Sequence, residues 1–297
     1  MRAVNSQPTA TAARPVGTVG LVVHGGRREA GEAARAALPH FTDAGITVVG
    51  CVGDGWQEGE LPLREAARFA DGLDLVTVFG GDGTFLRAAY LARDPGVALL
   101  GINLGRLGFL AELEETQLAP AIDDLARGAF EVEERMTLNV EVLDADRNTV
   151  GRSWALNEAS VERTVPQRVI ILEVLVGETS FSRVPADAMI VATPTGSTAY
   201  AFSAGGPIVS PLVDAILLTP VAPHSLFNRT IVVDPAEPLS VRPVDGENLC
   251  LVSLDGRESI AVPRGGLVRV SRGEQPVRMV RLECFDFYAR VRQKFSL

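Results

Sequence analysis

Apolar positions recur in two rhythms along this chain, and the rhythm changes near residue 130. Before that point, short apolar runs at Thr18–Val23, 46–49, Leu75–Phe79 and 97–102 read as buried strands. Ala30, Ala33, Ala34, Ala37, Leu38 and Phe41 recur at helical spacing and predict a helix over residues 28–41. Pro62 suits the first turn of a second helix reaching about Ala70. A third helix follows Thr84, a candidate N-cap, and a fourth covers about 115–127. Strands alternating with helices predict a parallel sheet with helices on its faces. After Phe130 the helical spacing mostly disappears. Strand-like runs at 138–143, 153–156, 169–176, 188–192, 230–233, 249–254, 267–270 and 277–284 predict an all-β second domain. The partition expected is a tail over 1–17, an α/β domain over 18–130, an all-β domain over 131–284 and a terminal segment over 285–297. That last segment alternates aromatics with arginines and reads as a short helix or strand docking elsewhere, with the N-terminal domain as the candidate surface.

Composition narrows the class. A chain of 297 residues can hold two domains with substantial cores, and 46% hydrophobic content suits a soluble globular protein. With no run of eighteen apolar residues, a membrane span is not expected. A net charge of −9 argues against nonspecific binding to nucleic acid or anionic lipid. Cys51, Cys250 and Cys284 are scattered without ligand spacing, and read as buried thiols in a reducing compartment rather than a disulfide framework or zinc site. Residues 1–17 are rich in Ala, Thr and Pro and lack an apolar signal core, so a disordered tail on a cytoplasmic protein is expected.

The chemistry concentrates in three stretches. Gly80-Gly81-Asp82-Gly83-Thr84 lies where a strand turns into a helix. Glycines there let backbone N–H groups approach a ligand, and the helix N-terminus favours negative charge. An acid in such a loop would repel a phosphate, unless Asp82 handles a hydroxyl proton or a divalent metal beside the phosphates. The loop is therefore suited to phosphoryl transfer. It is not the dinucleotide fingerprint, since Leu86 stands where a small residue is needed. It is not Walker A either, because the only lysine is Lys294. Cationic phosphate contacts must then come from arginine, backbone amides or metal. Arg87, one helical turn beyond Gly83, is a candidate, and its alternative is an exposed helix arginine. His24-Gly25-Gly26-Arg27, a glycine turn with a cation, is either a phosphate-facing turn or, the favoured reading, a plain strand-to-helix loop, and residues 50–60 give no functional signal. Asn157-Glu158 pairs an amide with a carboxylate, suited to ribose hydroxyls. The third stretch, 193–200, is crowded with hydroxyls and small residues, as is a nucleotide or sugar pocket, and Ser203-Ala204-Gly205-Gly206-Pro207 follows it.

Taken in order, GGDGT at 80–84, NLGRLGFL at 103–110, LNE at 156–158, TPTGSTAYAFSAGGPI at 193–208 and VAPHSLFNRTIVV at 221–233 resemble the NAD kinase family. GGDGT alone is shared with lipid kinases and phosphofructokinases, whereas its combination with TPTGSTAY is specific. The resemblance implies transfer of the terminal phosphoryl group of ATP, or of polyphosphate, to the adenosine-ribose 2′-hydroxyl of NAD, giving NADP. It implies a Rossmann-like α/β N-terminal domain and an all-β, sandwich-like C-terminal domain with the active site between them. A divalent metal, Mg²⁺ by its fit to a nucleotide donor, is implied without identified ligands, as is a homodimer or homotetramer. Matched position by position, Asp82 stands for the proton acceptor with Gly83 beside it, and Gly80, Gly81, Gly83 and Thr84 form the phosphate loop. Asn157 and Glu158 match the pair that holds NAD, and Thr198, Ala199, Tyr200 and Ser203 match the loop around adenosine. Asp187, Arg87 and Arg168 match further NAD-contact positions, and Asp82 and Gly83 count among the NAD-binding residues as well. The sequence departs from the family pattern at 183–188, where Ala188 stands for a glycine, and at Asp255-Gly256-Arg257, where many members carry Asp-Gly-Gln. Two rivals remain. A lipid or sugar kinase with the same loop is opposed by the acidic charge and the lack of a basic amphipathic helix. A non-catalytic NAD(H)-sensing module is opposed by the intact acid and glycines of 80–84.

Overall fold

The structure, a computed structural model, describes residues 14–105, 108–165, 169–226, 228–244, 250–282 and 286–297. Residues 1–13 of the expected tail, Arg168 and Cys284 lie outside them. In chain order the N-terminal elements are β1 (Thr18–Val23), α1 (Arg28–Asp43), β2 (Thr47–Cys51), β3 (Leu63–Arg64), β4 (Leu75–Phe79), α2 (Asp82–Ala92), β5 (Ala98–Asn103), β6 (Leu113–Glu114), α3 (Leu118–Arg127) and β7 (Glu131–Arg135). There follow β8 (Leu138–Leu143), β9 (Thr149–Ala155), β10 (Glu158–Arg163), β11 (Ile170–Val176), β12 (Thr179–Ala186), β13 (Ala188–Ala192) and the single turn α4 (Tyr200–Ser203). The chain closes with β14 (Ile216–Val221), β15 (Ile231–Val233), β16 (Leu239–Pro243), β17 (Cys250–Leu254), β18 (Glu258–Val262), β19 (Leu267–Arg272), β20 (Val277–Arg281) and α5 (Phe287–Phe295). No helix among the described residues is long and apolar enough to cross a membrane.

Two compact units result. One runs to Glu134 and takes in Val277–Leu297; the other is Arg135–Pro276. The first is built on a sheet of order β3-β2-β1-β4-β5-β20-β7, with β1, β2, β4, β5 and β20 parallel. All five residues of β4 are buried, as expected of a central strand covered on both faces. The alanine face of α1 packs through Ala30, Ala33, Ala34 and Ala37 with Phe41, and shares a core with Leu21, Phe79, Leu100 and Ile122. The chain passes from β1 outward to β2 and returns to β4 on the other side of β1. That reversal opens a crevice at the carboxyl ends of β1 and β4, the place where such sheets bind ligands.

Two expectations change here, and a third is narrowed. Residues 63–70 do not form a helix: Gly50 and Val52 donate to the carbonyls of Pro62 and Arg64, so β2 captures the backbone as β3, and only a 3-10 turn at Ala66–Arg68 remains. The run at 277–284 does not extend the all-β half, because β20 pairs in parallel with β5 at Met279 and Leu99. A short, mostly buried apolar strand has the same pattern in either kind of sheet, so its sequence does not choose the partner. The terminal segment forms α5, capped by the Asp286 side chain accepting from the Ala289 N–H, and belongs to the first unit.

In the second unit, antiparallel sheets of order β15-β14-β13-β10-β17-β18 and β12-β11-β16-β19-β8-β9 enclose one apolar core. Val140, Val161, Leu172, Val191, Val241, Val252 and Val268 contribute to it from both sheets, the arrangement of a β-sandwich. Pro185 sits on the edge strand β12, where a missing N–H costs no ladder bond. Cys51 and Cys250 are buried free thiols, and burial pushes both up to about 11.

Candidate active site

The crevice of the first unit is a cleft of about 540 Å³ lined by His24, Arg27, Gly53, Asp54, Gly81–Thr84 and Arg87. Helix α2 starts at Asp82 with Gly81 as its N-cap, three residues earlier than a Thr84 cap would place it. Thr84 instead buries its side chain against Gly80. Open space lies beside Gly81 and Gly83, where a ligand can approach the start of the helix, although the Thr84 N–H already donates to the Gly81 carbonyl at 2.9 Å.

Asp82 does not point freely into solvent. Its carboxylate accepts the backbone N–H groups of Phe109, at 3.1 Å, and Leu110, at 3.2 Å. A Cβ at residue 108 would overlap Asp82 Oδ1, so Gly108 is what admits the carboxylate. The 103–110 motif thus supplies a cradle for the acid of the 80–84 motif.

Arg87 donates from Nη1 to Asp54 Oδ1 at 2.7 Å and from Nη2 to the Val23 carbonyl at 2.9 Å. Asp54 Oδ2 also accepts the Val23 N–H at 2.7 Å. The Asp54 side chain is 0% exposed and that of Arg87 41%, so one end of the pair is locked and the other faces the cleft. Sequence reasoning found Arg87, raised the turn of His24 and Arg27 only as the less favoured phosphate contact, and missed Asp54. The available signal was a second Gly-Asp-Gly, at 53–55.

In the second unit, Asn157 and Glu158 sit where β10 begins, both buried. The Asp255 carboxylate gathers the N–H groups of Leu156 (2.8 Å), Asn157 (2.8 Å) and Glu158 (3.0 Å). It reaches them from the β17–β18 hairpin, whose Asp255-Gly256 turn has both φ angles positive, the type I′ geometry that Asp-Gly favours. The 193–198 segment is strapped to the same place: Thr193 Oγ1 donates to the Leu156 carbonyl at 2.6 Å, and Thr193 N–H to the Asn157 carbonyl at 2.9 Å. A Cβ at Gly196 would overlap the Asn157 backbone.

Glu158 is 9% exposed, and its Oε2 is buried with no hydrogen-bond partner among the described residues. Burial, with the Asp255 charge beside it, pushes its carboxyl up to about 8, against the opposing hydrogen bond from the Tyr200 backbone. Burial likewise raises Asp255 despite its three amide bonds. Tyr200 is raised by burial and by the nearby charges of Glu162, Asp187 and Glu158, and Asp187 pairs with Arg163 at 3.1 Å. Thr198 donates to the Thr195 carbonyl at 3.4 Å, and the Ala199 carbonyl accepts from the Ser203 N–H at 3.3 Å. Gly80–Thr84 and Arg87 are therefore gathered in one unit, and Asn157, Glu158, Asp187, Thr198, Ala199, Tyr200 and Ser203 in the other. Among the described residues no three His, Cys, Asp or Glu side chains cluster as a metal cage.

The chain is similar to known NAD kinases along most of its length. Residues 56–130 match the model of the ATP-NAD kinase N-terminal domain, and residues 156–282 that of the ATP-NAD kinase C-terminal domain. The chain is 42% identical to the NAD kinase of Nocardia farcinica over 298 residues, covering 93% of this chain and 90% of that one. It is 39% identical to the NAD kinase of Thermobifida fusca, covering 94% and 89%. Among solved structures, the fold is similar to yeast NADH kinase complexed with NADH, with a TM-score of 0.85 and 23% identity over 95% of this chain and 88% of that one. It is also similar to an NAD kinase from Archaeoglobus fulgidus in complex with ATP, with a TM-score of 0.69 and 24% identity over 94% and 97%. The chain belongs to the NAD kinase family.

Proposed function

We infer that this enzyme is an NAD kinase that transfers the terminal phosphoryl group of ATP to the adenosine-ribose 2′-hydroxyl of NAD, with Asp82 as the proton acceptor. The observation that carries the role of Asp82 is its placement in the first turn of a helix, held by two backbone amides and, among the described residues, in no ion pair with a guanidinium. Such an acid is ready to take a proton in a loop built for phosphates. In the step itself the ribose oxygen forms a bond to the terminal phosphorus, the bond from that phosphorus to the ADP oxygen breaks, and the hydroxyl proton passes to Asp82. Most of the work is positioning and charge stabilisation. The acceptor carboxylate adds about 10²–10⁴-fold.

The donor's phosphates are assigned to the amides of Gly80–Thr84, with Arg27 and Arg87 as the cations of the cleft. Mg²⁺ typically takes one or two carboxylates together with substrate phosphates, so a cleft whose described residues form no all-protein cage fits an ion that arrives with its nucleotide. NAD is assigned to Asn157 and Glu158, with Thr198, Ala199, Tyr200 and Ser203 around the adenosine and Asp187 nearby. Arg168, matched to a further contact, lies outside the described residues. With its carboxyl at about 8, Glu158 holds its proton at neutral pH and can donate to a ribose oxygen while Asn157 serves a second hydroxyl. The proposed assembly is a homodimer or homotetramer in the cytoplasm.

The test is the purified chain with ATP, Mg²⁺ and NAD, read out by an NADP-specific dehydrogenase, with inorganic polyphosphate as a parallel donor. Asp82→Asn is expected to bind NAD normally by calorimetry and to lose about 10²–10⁴-fold in turnover. NADP formation at a near-normal rate by that variant removes Asp82 from the mechanism. Dinucleotide binding with no product from the unaltered chain would instead favour the sensing module.

A further inference from the structure

The peptide group between Gly108 and Phe109 is used from both ends. Its N–H donates to Asp82 Oδ2 at 3.1 Å, and its C=O accepts from Arg290 Nη1 of α5 at 3.1 Å. The Phe109 side chain is seated on the same helix, with ring centroids 6.4 Å from Phe287 and 6.2 Å from Phe295. A second anchor lies three residues on. Glu112 accepts from Arg281 Nη1 at 2.5 Å and from the Leu282 N–H at 3.2 Å, and Arg281 also reaches Glu133. The cradle of Asp82 is thus held in place by a segment some two hundred residues downstream. A guanidinium on the carbonyl also polarises the peptide, which strengthens the hydrogen bond its N–H gives.

We propose that Arg290 is a positioning residue for phosphoryl transfer, acting through the 108–109 peptide to fix the carboxylate of Asp82, so that α5 is a working part of the site. The inference rests on the reading of Asp82 as proton acceptor. Arg290 is half-buried, and burial lowers its pKa against the opposing charges of Glu112, Glu114 and Asp82. Burying a guanidinium there costs desolvation, which a helix serving only as a cover would avoid with an apolar side chain. A displacement of the acceptor by a fraction of an ångström is felt in turnover far more than in substrate binding.

The experiment is a double-mutant cycle between positions 290 and 82 on the full chain. Arg290→Met is expected to lower kcat about tenfold with KM for NAD and for ATP within about twofold, and Arg290→Lys to restore most of the loss. In the Asp82→Asn background, Arg290→Met is expected to cost nothing further, because the group it positions is gone. An equal loss in both backgrounds, or a loss expressed in KM, would overturn the proposal. If thermal melting shows that Arg290→Met does not fold, Arg290→Gln takes its place in the same cycle with the same outcomes. Near-normal turnover by Asp82→Asn alone is a separate result: it defeats the acceptor reading, and this inference falls with it.

Discussion

Gly-Asp-Gly occurs twice at the cleft, at 53–55 and at 81–83, and the two acids have opposite circumstances. Asp54 is fully enclosed, bonded to Arg87 and to the end of β1; its charge is consumed in holding the floor of the cleft together. Asp82 is half-buried and held by amides, which orient a carboxylate without cancelling its charge. The tripeptide supplies a turn and an acid. What decides between scaffold and reagent is whether the partner is a cation or a backbone dipole.

The comparison breaks first at the two acids. Asp82→Asn should lose turnover by orders of magnitude while its melting temperature stays within a few degrees, and Asp54→Asn should show the reverse weighting. Next, Gly108→Ala puts a methyl group where Asp82 Oδ1 now sits, so kcat should fall about 10–100-fold as the carboxylate is pushed from its cradle. Steady-state kinetics with NAD saturating would show it, and an unchanged kcat would mean the cradle is dispensable. Smaller is the stability cost of Asp54→Asn, about 2 kcal/mol by urea titration, because Arg87 is partly exposed and water can replace much of what is lost. KM for ATP should rise several-fold as Arg87 loses its anchor, with KM for NAD unmoved.

The last effect concerns Glu158 and is read in pH. Its folded value of about 8 lies above the ordinary carboxylate range, so between about pH 4.5 and 8 the folded chain holds a proton that the unfolded chain has released. Stability from this group is complete at acid pH and declines as pH rises through that window. Glu158→Gln should flatten the decline, gaining on the parent by a kcal/mol or more at pH 8 relative to pH 5. Parallel pH–stability curves would place the Glu158 proton elsewhere. Glu173 is the control: also buried, it is held down by Ser180, Arg242 and Arg183 and should show no such window.

Much of this was legible in the order of residues. The alternation of strand and helix before residue 130, the all-β texture after it, and the loops at 80–84 and 193–200 are local patterns, and local patterns survive translation into structure. What could not be read was partnership. Val277–Arg281 is a strand in any reading, but its place beside Leu99 depends on a surface made by other segments. Residues 63–70 have helical composition, yet the open edge of β2 claims their backbone. The grip of residues 109 and 110 on Asp82, of Asp255 on residues 156–158, and of Arg290 on Gly108 each joins segments at least 27 residues apart, and nothing in either segment names the other.

One close approach has a consequence for how this enzyme can change. The α-carbon of Gly196 lies so near the Asn157 main chain that not even a methyl group fits, and Thr193 ties the same two stretches with hydrogen bonds. Asn157-Glu158, the pair proposed to hold NAD, and the hydroxyl-rich loop therefore cannot be retuned one at a time. A variant selected for a different dinucleotide has to re-form both together, or leave this junction alone and find its new specificity at the rim.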